Sequence, residues 1–414
     1  MTDVPWHERI SCRLCSSRKL SDVLTLTPTP PANAFAASQE TARKLESYPL
    51  TVRRCAQCGH AQLAHVLDPR ALFSNYVYVS GTSPAFVTHF ESYAESAIST
   101  IGLTDGDLVI DIGSNDGTLL KCFQQHGQRV KGIDPARDIA NAATADGVPT
   151  INDFFSESLA QDIRTADGHA RLVVANNVCA HIDDLAAVVR AVETLLGPDG
   201  EFWLEVSYLL SVMEGTLFDT IYHEHLDYHR VEPLVAFFAK FGLKVWDVER
   251  TSPHGGSLRV KVARQGVRTV THAVADLIAQ EHAAGLADEH AWTQFGAAIE
   301  TAGVSLREQL AQYADQGFRG AGYGATAKAT TLMYQYGLDA SCLDYIVDDS
   351  PLKQGLYSPG FGIPIVTSEH ARSKPPDFML VLAWNFAGPI LRNNRWLADT
   401  GGRFVVPLPT LETH

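Results

Sequence analysis

Residues 107–123 read DLVIDIGSNDGTLLKCF, and this stretch decides the fold. LVIDI is an apolar strand, GSNDG is a glycine turn, and TLLKCF opens a helical pattern. Asp111, Gly113 and Gly117 form D-x-G-x3-G. Glycines at these places let the backbone turn sharply and approach a ligand at the C-terminal edge of a parallel strand. About twenty residues on, VKGIDPA ends a second strand at Asp134, where a carboxylate can accept both hydroxyls of a ribose. The alternation continues with a strand at Arg171–Ala175, a helix at Asp183–Leu196, the turn GPDG and the strand EFWLEV. A doubly wound parallel sheet with a nucleoside site is predicted.

The surrounding chain sets the limits on that unit. At 414 residues it is too long for one ordinary core and should form two or three domains. Hydrophobic residues make up 45% and charged residues 19%, with no apolar run long enough to suggest a membrane span. No secretory or transit pattern opens MTDVPWHERISC, so a cytoplasmic location is expected. The net charge of −14 and the lack of a basic run argue against nucleic acid as a partner.

Seven cysteines in such a chain read as thiols or metal ligands. Cys12 and Cys15 form CRLC, and Cys55 and Cys58 form CAQC. Two C-x2-C knuckles can converge four thiolates on one tetrahedral zinc ion. Their gap exceeds the usual ~15 to 20 residues, and TPTPPANAF (27–35) supplies the turns it needs. Cys122, Cys179 and Cys342 are scattered and read as packing residues.

A second α/β pattern follows a helical region rich in Ala, Glu and His. FRGAGYGATAKATTLM carries Gly320, Gly322, Gly324 and Lys328, and LDYIVDD ends a strand at Asp348 and Asp349. GIPIV, FMLVLAW and RFVVPLP supply further strands. Glycines opening a helix suit a pyrophosphate. Three readings stay open on the residues alone: an NAD site, a site for a nucleotide-linked substrate, or a fold that only packs.

YHEHLDYH (222–229) follows the fifth strand of the first fold, where loops beyond strand ends carry chemistry. His-Glu-x-x-His fails here, because Asp227 stands three residues after Glu224. His225 and His229 keep an i,i+4 spacing that leaves a metal conceivable. A proton-transfer reading needs a base near neutral pKa, which histidine provides at ~6.5. A carbon beside a ketone becomes nucleophilic when a base removes its proton and a donor stabilises the enolate oxygen.

Two resemblances add to this reading. D-x-G-x3-G, the acid after the second strand and LLGPDGEFWLE, read as a helix end and hairpin, resemble class I S-adenosylmethionine-dependent methyltransferases. This implies that Asp111, Gly113, Asn115 and Gly117 take the amino-acid end of the donor and Asp134 the ribose. It also implies that Asp153 and Phe154 flank adenine, and that Asn176 and Asn177 face the reaction centre. The acidic-Pro-Pro-aromatic motif of many nitrogen methyltransferases is missing at Asn177, which disfavours an amine acceptor. Over nearly its full length the chain resembles the sugar C-methyltransferases of antibiotic deoxysugar pathways, nearest to the C-3 methyltransferases of D-tetronitrose biosynthesis. CRLC with CAQC, YVYVSGTSP, DIGSNDGTL, NNVCAHI, YHEHLDYH, SPHGGSLRV and GYGATAK carry that resemblance.

The family implies an α/β chain in three parts: a small zinc-binding domain (1–75), a class I methyltransferase Rossmann-like domain (76–250), and a second Rossmann-like domain (251–414) that helps hold a dTDP-linked keto-sugar. It further implies His225 as base, Tyr222 assisting at the keto oxygen, and Glu224, His181 and Tyr76 at other active-site positions. Tyr78, Ser80, Asn177, His254, Lys328, Lys353 and Trp384 are then the expected substrate contacts. S-adenosylmethionine and zinc are the expected cofactors, and a monomer is expected. Methylation at C-5 in place of C-3, oxygen methylation, an NAD-linked epimerase and a non-catalytic zinc and nucleotide-binding protein are the alternatives.

Overall fold

The computed structural model describes residues 4–74, 79, 81 and 84–414, the side chains of 84, 85 and 254 excepted. Leu108–Ile112 is a fully buried strand, apolar but for Asp111, as a strand between two covered faces requires. Helix Thr118–Gln125 follows its glycine turn. Gly113 must be glycine for two reasons. Its φ is 72°, and a Cβ there would lie 2.3 Å from Cγ2 of Val178.

Seven strands form the central sheet: Leu108–Ile112, Arg129–Ile133, Thr150–Ile151, Ala170–Asn176, Leu196–Ser207, Leu243–Thr251 and Ser257–Arg264. In chain order they lie as 3-2-1-4-5-7-6. The first five are parallel, and the seventh runs antiparallel to both neighbours. The order reverses between the first and fourth strands, which opens a crevice beyond Ile112 and Asn176. Helix Leu185–Leu195, capped by Asp184 accepting from Ala187 N–H at 3.0 Å, covers one face. Helix Pro84–Ile101 covers the other through Phe90, Tyr93, Ala94 and Ala97.

Two details differ from the sequence reading. GPDG is not a hairpin: it lies inside Leu196–Ser207 as a register shift between Leu196 and Glu201 along the parallel partner. Ser257–Arg264 is the seventh strand, so the sheet continues past the boundary placed at 250/251.

The cysteine-bearing unit is an antiparallel sheet of Leu20–Thr29, Tyr48–Cys55, Ala61–Leu63 and Asp227–Tyr228. Its fourth strand is therefore taken from YHEHLDYH. Cys12, Leu14 and Cys55 pack into the core of the seven-stranded sheet. Leu26, Leu50, Val52 and Leu63 join Leu332, Met333, Val347 and Leu380 of the C-terminal fold in another core. The unit thus shares its apolar interior with both neighbours.

The C-terminal fold has six strands, Gly320–Tyr323, Ile346–Val347, Ile365–Val366, Phe378–Val381, Arg403–Val406 and Glu412–Thr413, ordered 3-2-1-4-5-6 with only the last antiparallel. Its own crevice lies between Tyr323 and Val381. Helix Ala327–Tyr336 starts there, with Thr326 Oγ1 accepting from Ala329 N–H at 3.2 Å, and stops at Gly337 with φ 71°. No helix among the described residues is long and apolar enough to cross a membrane.

Candidate active site

The two cysteine knuckles meet as their spacing predicts. Cys12 Sγ lies 3.6 Å from Cys58 Sγ, Cys15 Sγ lies 3.5 Å from Cys55 Sγ, and all four sulfurs fall within 4.8 Å of one another. Four sulfurs about 2.3 Å from one ion stand at such separations, so the donor set fits tetrahedral zinc. Hydrogen bonding to Cys58 and burial push the Cys12 thiol well up, and burial pushes Cys15 to about 11. A divalent cation reverses that preference by binding the thiolates.

The knuckles also grip the histidine-rich stretch. Arg13, between Cys12 and Cys15, has its guanidinium buried. It donates to the carbonyls of Leu63 at 2.9 Å and Leu226 at 3.1 Å and to Asp183 Oδ1 at 2.9 Å. His60, two residues after Cys58, pairs with Asp227 at 2.6 Å, both fully buried. Burial pushes the Asp227 carboxyl up, but Arg13 and His60 outweigh it and hold it below the usual range. Arg230 donates to the Cys58 carbonyl at 3.4 Å.

Within YHEHLDYH the three histidines separate by environment. His223 and His229 are buried, at 1% and 0% exposure, and burial pushes both down to about 4. His225 alone is half-buried. Its Nδ1 lies 2.7 Å from the Thr220 carbonyl and 3.2 Å from Thr220 Oγ1. A carbonyl only accepts, so Nδ1 carries the proton and Nε2 presents its lone pair. Tyr222 O–H donates to that Nε2 at 3.0 Å, with the two ring centroids 4.2 Å apart. His181 brings its ring to 5.1 Å from His225 and stacks on Phe73 at 5.4 Å; burial pushes it down to about 4. Glu224 is buried and accepts from Asn33 Nδ2 at 2.8 Å. The Thr220 carbonyl orients the His225 ring.

The crevice of the first fold holds the expected donor residues. Asn115 and Gly117 take φ of 52° and 75°. Asp134 Oδ2 accepts from Asn115 N–H at 2.9 Å and Oδ1 from Ala136 N–H at 2.8 Å, so the carboxylate clasps the glycine loop. Burial, then the charge of Asp134, pushes the Asp111 carboxyl well up. Both carboxamide atoms of Asn176 are buried, with the Tyr93 hydroxyl as a polar neighbour, a setting that suits a polar ligand beside them. Asn177 holds the turn after its strand, with φ 57° and its N–H on the Glu205 carbonyl at 2.7 Å. Asp153 is exposed, and Phe154 is 36% exposed beside it, an apolar face open to a base.

In the C-terminal crevice, Lys328 and Trp384 are buried at 8% and 7% exposure, with the ammonium 5.9 Å from the indole centroid. Lys353 Nζ donates to the Ala325 carbonyl at 2.8 Å and lies 3.7 Å from Asp348. Tyr76, Tyr78, Ser80 and the His254 side chain lie outside the described residues. Thr220, Arg13, His60 and Asn33 were missed. The first three act through backbone or distant pairing, and only Asn33, within the Pro-rich loop, left a trace as a turn residue.

The strand order, the clasped glycine loop and the four-sulfur site define an S-adenosylmethionine-dependent methyltransferase with a structural zinc. Residues 12–73 match the family model of a zinc binding domain, 87–248 that of a methyltransferase domain, and 252–409 that of the C-methyltransferase C-terminal domain. The C-methyltransferase NovU of Streptomyces niveus is 38% identical over 399 residues, covering 96% of this chain and 95% of its own. The chain belongs to this C-methyltransferase family. A ubiquinone biosynthesis O-methyltransferase of Ralstonia nicotianae is 26% identical over 151 residues, covering 34% of this chain and 63% of its own. Among solved structures, magnesium protoporphyrin IX methyltransferase of Synechocystis PCC 6803 with bound SAH is 17% identical. That match covers 43% of this chain and 83% of the other, at a TM-score of 0.35.

Proposed function

We propose that the enzyme methylates a carbon beside the 4-keto group of a dTDP-linked deoxysugar, at C-3 and with a 3-amino substituent, using His225 as base. One observation carries the reading. The Thr220 carbonyl holds the Nδ1 proton, so the lone pair of Nε2 points at the Tyr222 hydroxyl. A keto oxygen arriving at that hydroxyl takes its hydrogen bond and leaves Nε2 to remove the proton from the adjacent carbon. The electron pair of the broken C–H bond moves into an enolate whose oxygen Tyr222 steadies, with His181 alongside. S-adenosylmethionine, when bound, supplies the methyl group on a sulfonium sulfur that leaves as a thioether. The chain's own contribution is orientation: the fourth-strand end at Asn176 and Asn177 sets the donor side, and the His225 loop sets the acceptor side. The zinc unit and the C-terminal fold hold the sugar nucleotide, with Lys328, Lys353 and Trp384 at the second crevice. The protein works as a cytoplasmic monomer on a small-molecule substrate.

The test is incubation with S-adenosylmethionine and a dTDP-4-keto-6-deoxysugar, with and without a 3-amino group, in D2O. A new methyl at C-3, and deuterium exchange there without the donor, are expected. A methyl on oxygen or at C-5 would overturn the assignment. His225→Asn should lower turnover by at least ~10³-fold, within the 10²–10⁴ a general base supplies, and leave donor affinity within about twofold.

A further inference from the structure

Asp219 belongs to no role assigned above, yet it is fully buried in the turn Phe218–Thr220, directly before the carbonyl that holds His225. Burying a carboxylate is costly unless it is hydrogen-bonded and paired. The N–H groups of Asp219 and Thr220 favour the charged form locally, and the side-chain hydrogen bond and the opposing charge come from the C-terminal crevice. Trp384 Nε1–H donates to Asp219 Oδ2 at 2.6 Å, and the Lys328 ammonium supplies the opposing charge. Burial pushes the Asp219 carboxyl up and the Lys328 ammonium down, and each charge opposes the other's shift. A second tether lies two residues on, where Thr331 Oγ1–H donates to the Ile221 carbonyl at 3.0 Å. Thr220 is therefore pinned on both sides by helix Ala327–Tyr336 and by the turn after strand Phe378–Val381.

We propose that Asp219 is a positioning residue: through Trp384 and Lys328 it fixes the Thr220 carbonyl, and so the tautomer and aim of the His225 imidazole, to the ligand-binding edge of the C-terminal fold. The crevice that the sequence offers to substrate thereby also sets the base. The proposal rests on His225 being the base and adds what holds it there.

The test is Asp219→Asn in the full-length zinc-loaded protein with ¹⁵N-labelled histidine, the His225 signals being assigned by their loss in His225→Asn. The wild type should show a protonated Nδ1 and an unprotonated Nε2. Asp219→Asn should mix the two tautomers and lower kcat roughly 30- to 100-fold, less than the ~10⁴ that a wrong tautomer costs a serine protease. KM for S-adenosylmethionine should stay within about twofold. Trp384→Phe keeps a buried ring and removes the 2.6 Å bond; because Trp384 also stands among the proposed substrate contacts, its effect is read from the His225 tautomer. It should act in the same direction, and it serves if the Asp219 variant does not fold. A retained Nδ1–H tautomer overturns the proposal whether or not kcat falls, because a fall without the tautomer change means packing alone. Turnover by His225→Asn would break the base reading instead, independently of the Asp219 result.

Discussion

The two Rossmann-like folds use the same local construction and end differently. In the first, Asp134 closes the second strand and accepts from Asn115 N–H at 2.9 Å and Ala136 N–H at 2.8 Å. In the second, Asp348 does the same with Ala325 N–H at 2.7 Å and Ser350 N–H at 2.8 Å. Beyond that clasp they part. Asp348 has the Lys353 ammonium 3.7 Å away, and the fourth strand's end delivers Trp384 to Asp219. At the matching place in the first fold, Asn176 keeps its buried amide beside Tyr93, within its own fold. A glycine loop clasped by an acid is thus a framework for two uses. What stands on the fourth strand and beside the acid differs: the first crevice keeps its polar groups to itself, and the second ties Trp384 to Asp219 of the neighbouring fold.

The comparison breaks most readily at the two acids. Asp134→Asn should weaken S-adenosylmethionine binding by about 10- to 100-fold, the ~1.5 to 3 kcal/mol of a hydrogen bond to a charged group. Asp348→Asn should leave donor affinity within about twofold. Calorimetric titration of both variants decides it, and equal losses would mean that the folds are not specialised. A smaller effect separates the glycine loop from the proposed base loop. Chelating the zinc should speed amide exchange across residues 222–229 by on the order of tenfold, while residues 108–117 keep their protection. Equal exposure of both segments would show that zinc stabilises the whole chain without singling out the base loop.

The smallest effect concerns the loop's buried histidines. His223 and His229 titrate at about 4 in the fold and near ~6.5 unfolded, so between those values the unfolded chain binds more protons. Stability is then full above about pH 6.5 and is lost as pH falls toward 4, by at most on the order of 2 kcal/mol per ring at pH 5. Urea unfolding at pH 7.5 and pH 5 should show the loss. His223→Gln should remove part of that slope, and an unchanged slope would contradict the assignment.

Much of this could be read in advance because it depends on short-range pattern. The apolar run before D-x-G-x3-G, the acid after the second strand and the paired knuckles each state a local geometry with few alternatives. The seventh strand was harder. It follows the sixth by hairpin and enters the sheet antiparallel, so nothing in its residues separates it from the fold that comes next. The choice of His225 came from resemblance, since three histidines within seven residues differ only in what surrounds them. Burial sets His223 and His229 apart, and a backbone carbonyl at Thr220 orients the His225 ring. A carbonyl has no letter in a sequence, and neither does the pairing of Asp219 with Trp384 across 165 positions.

The borrowed strand Asp227–Tyr228 sets a timetable for synthesis. The cysteines leave the ribosome before residue 227, yet their sheet cannot close until it has followed, about ten to thirty seconds later at ~5 to 20 residues per second. Its apolar face finds further partners only in helices Glu289–Asp315 and Ala327–Tyr336. The cysteine-bearing unit is therefore made well before it is finished, and a chain cut short before helix Ala327–Tyr336 leaves its interior exposed.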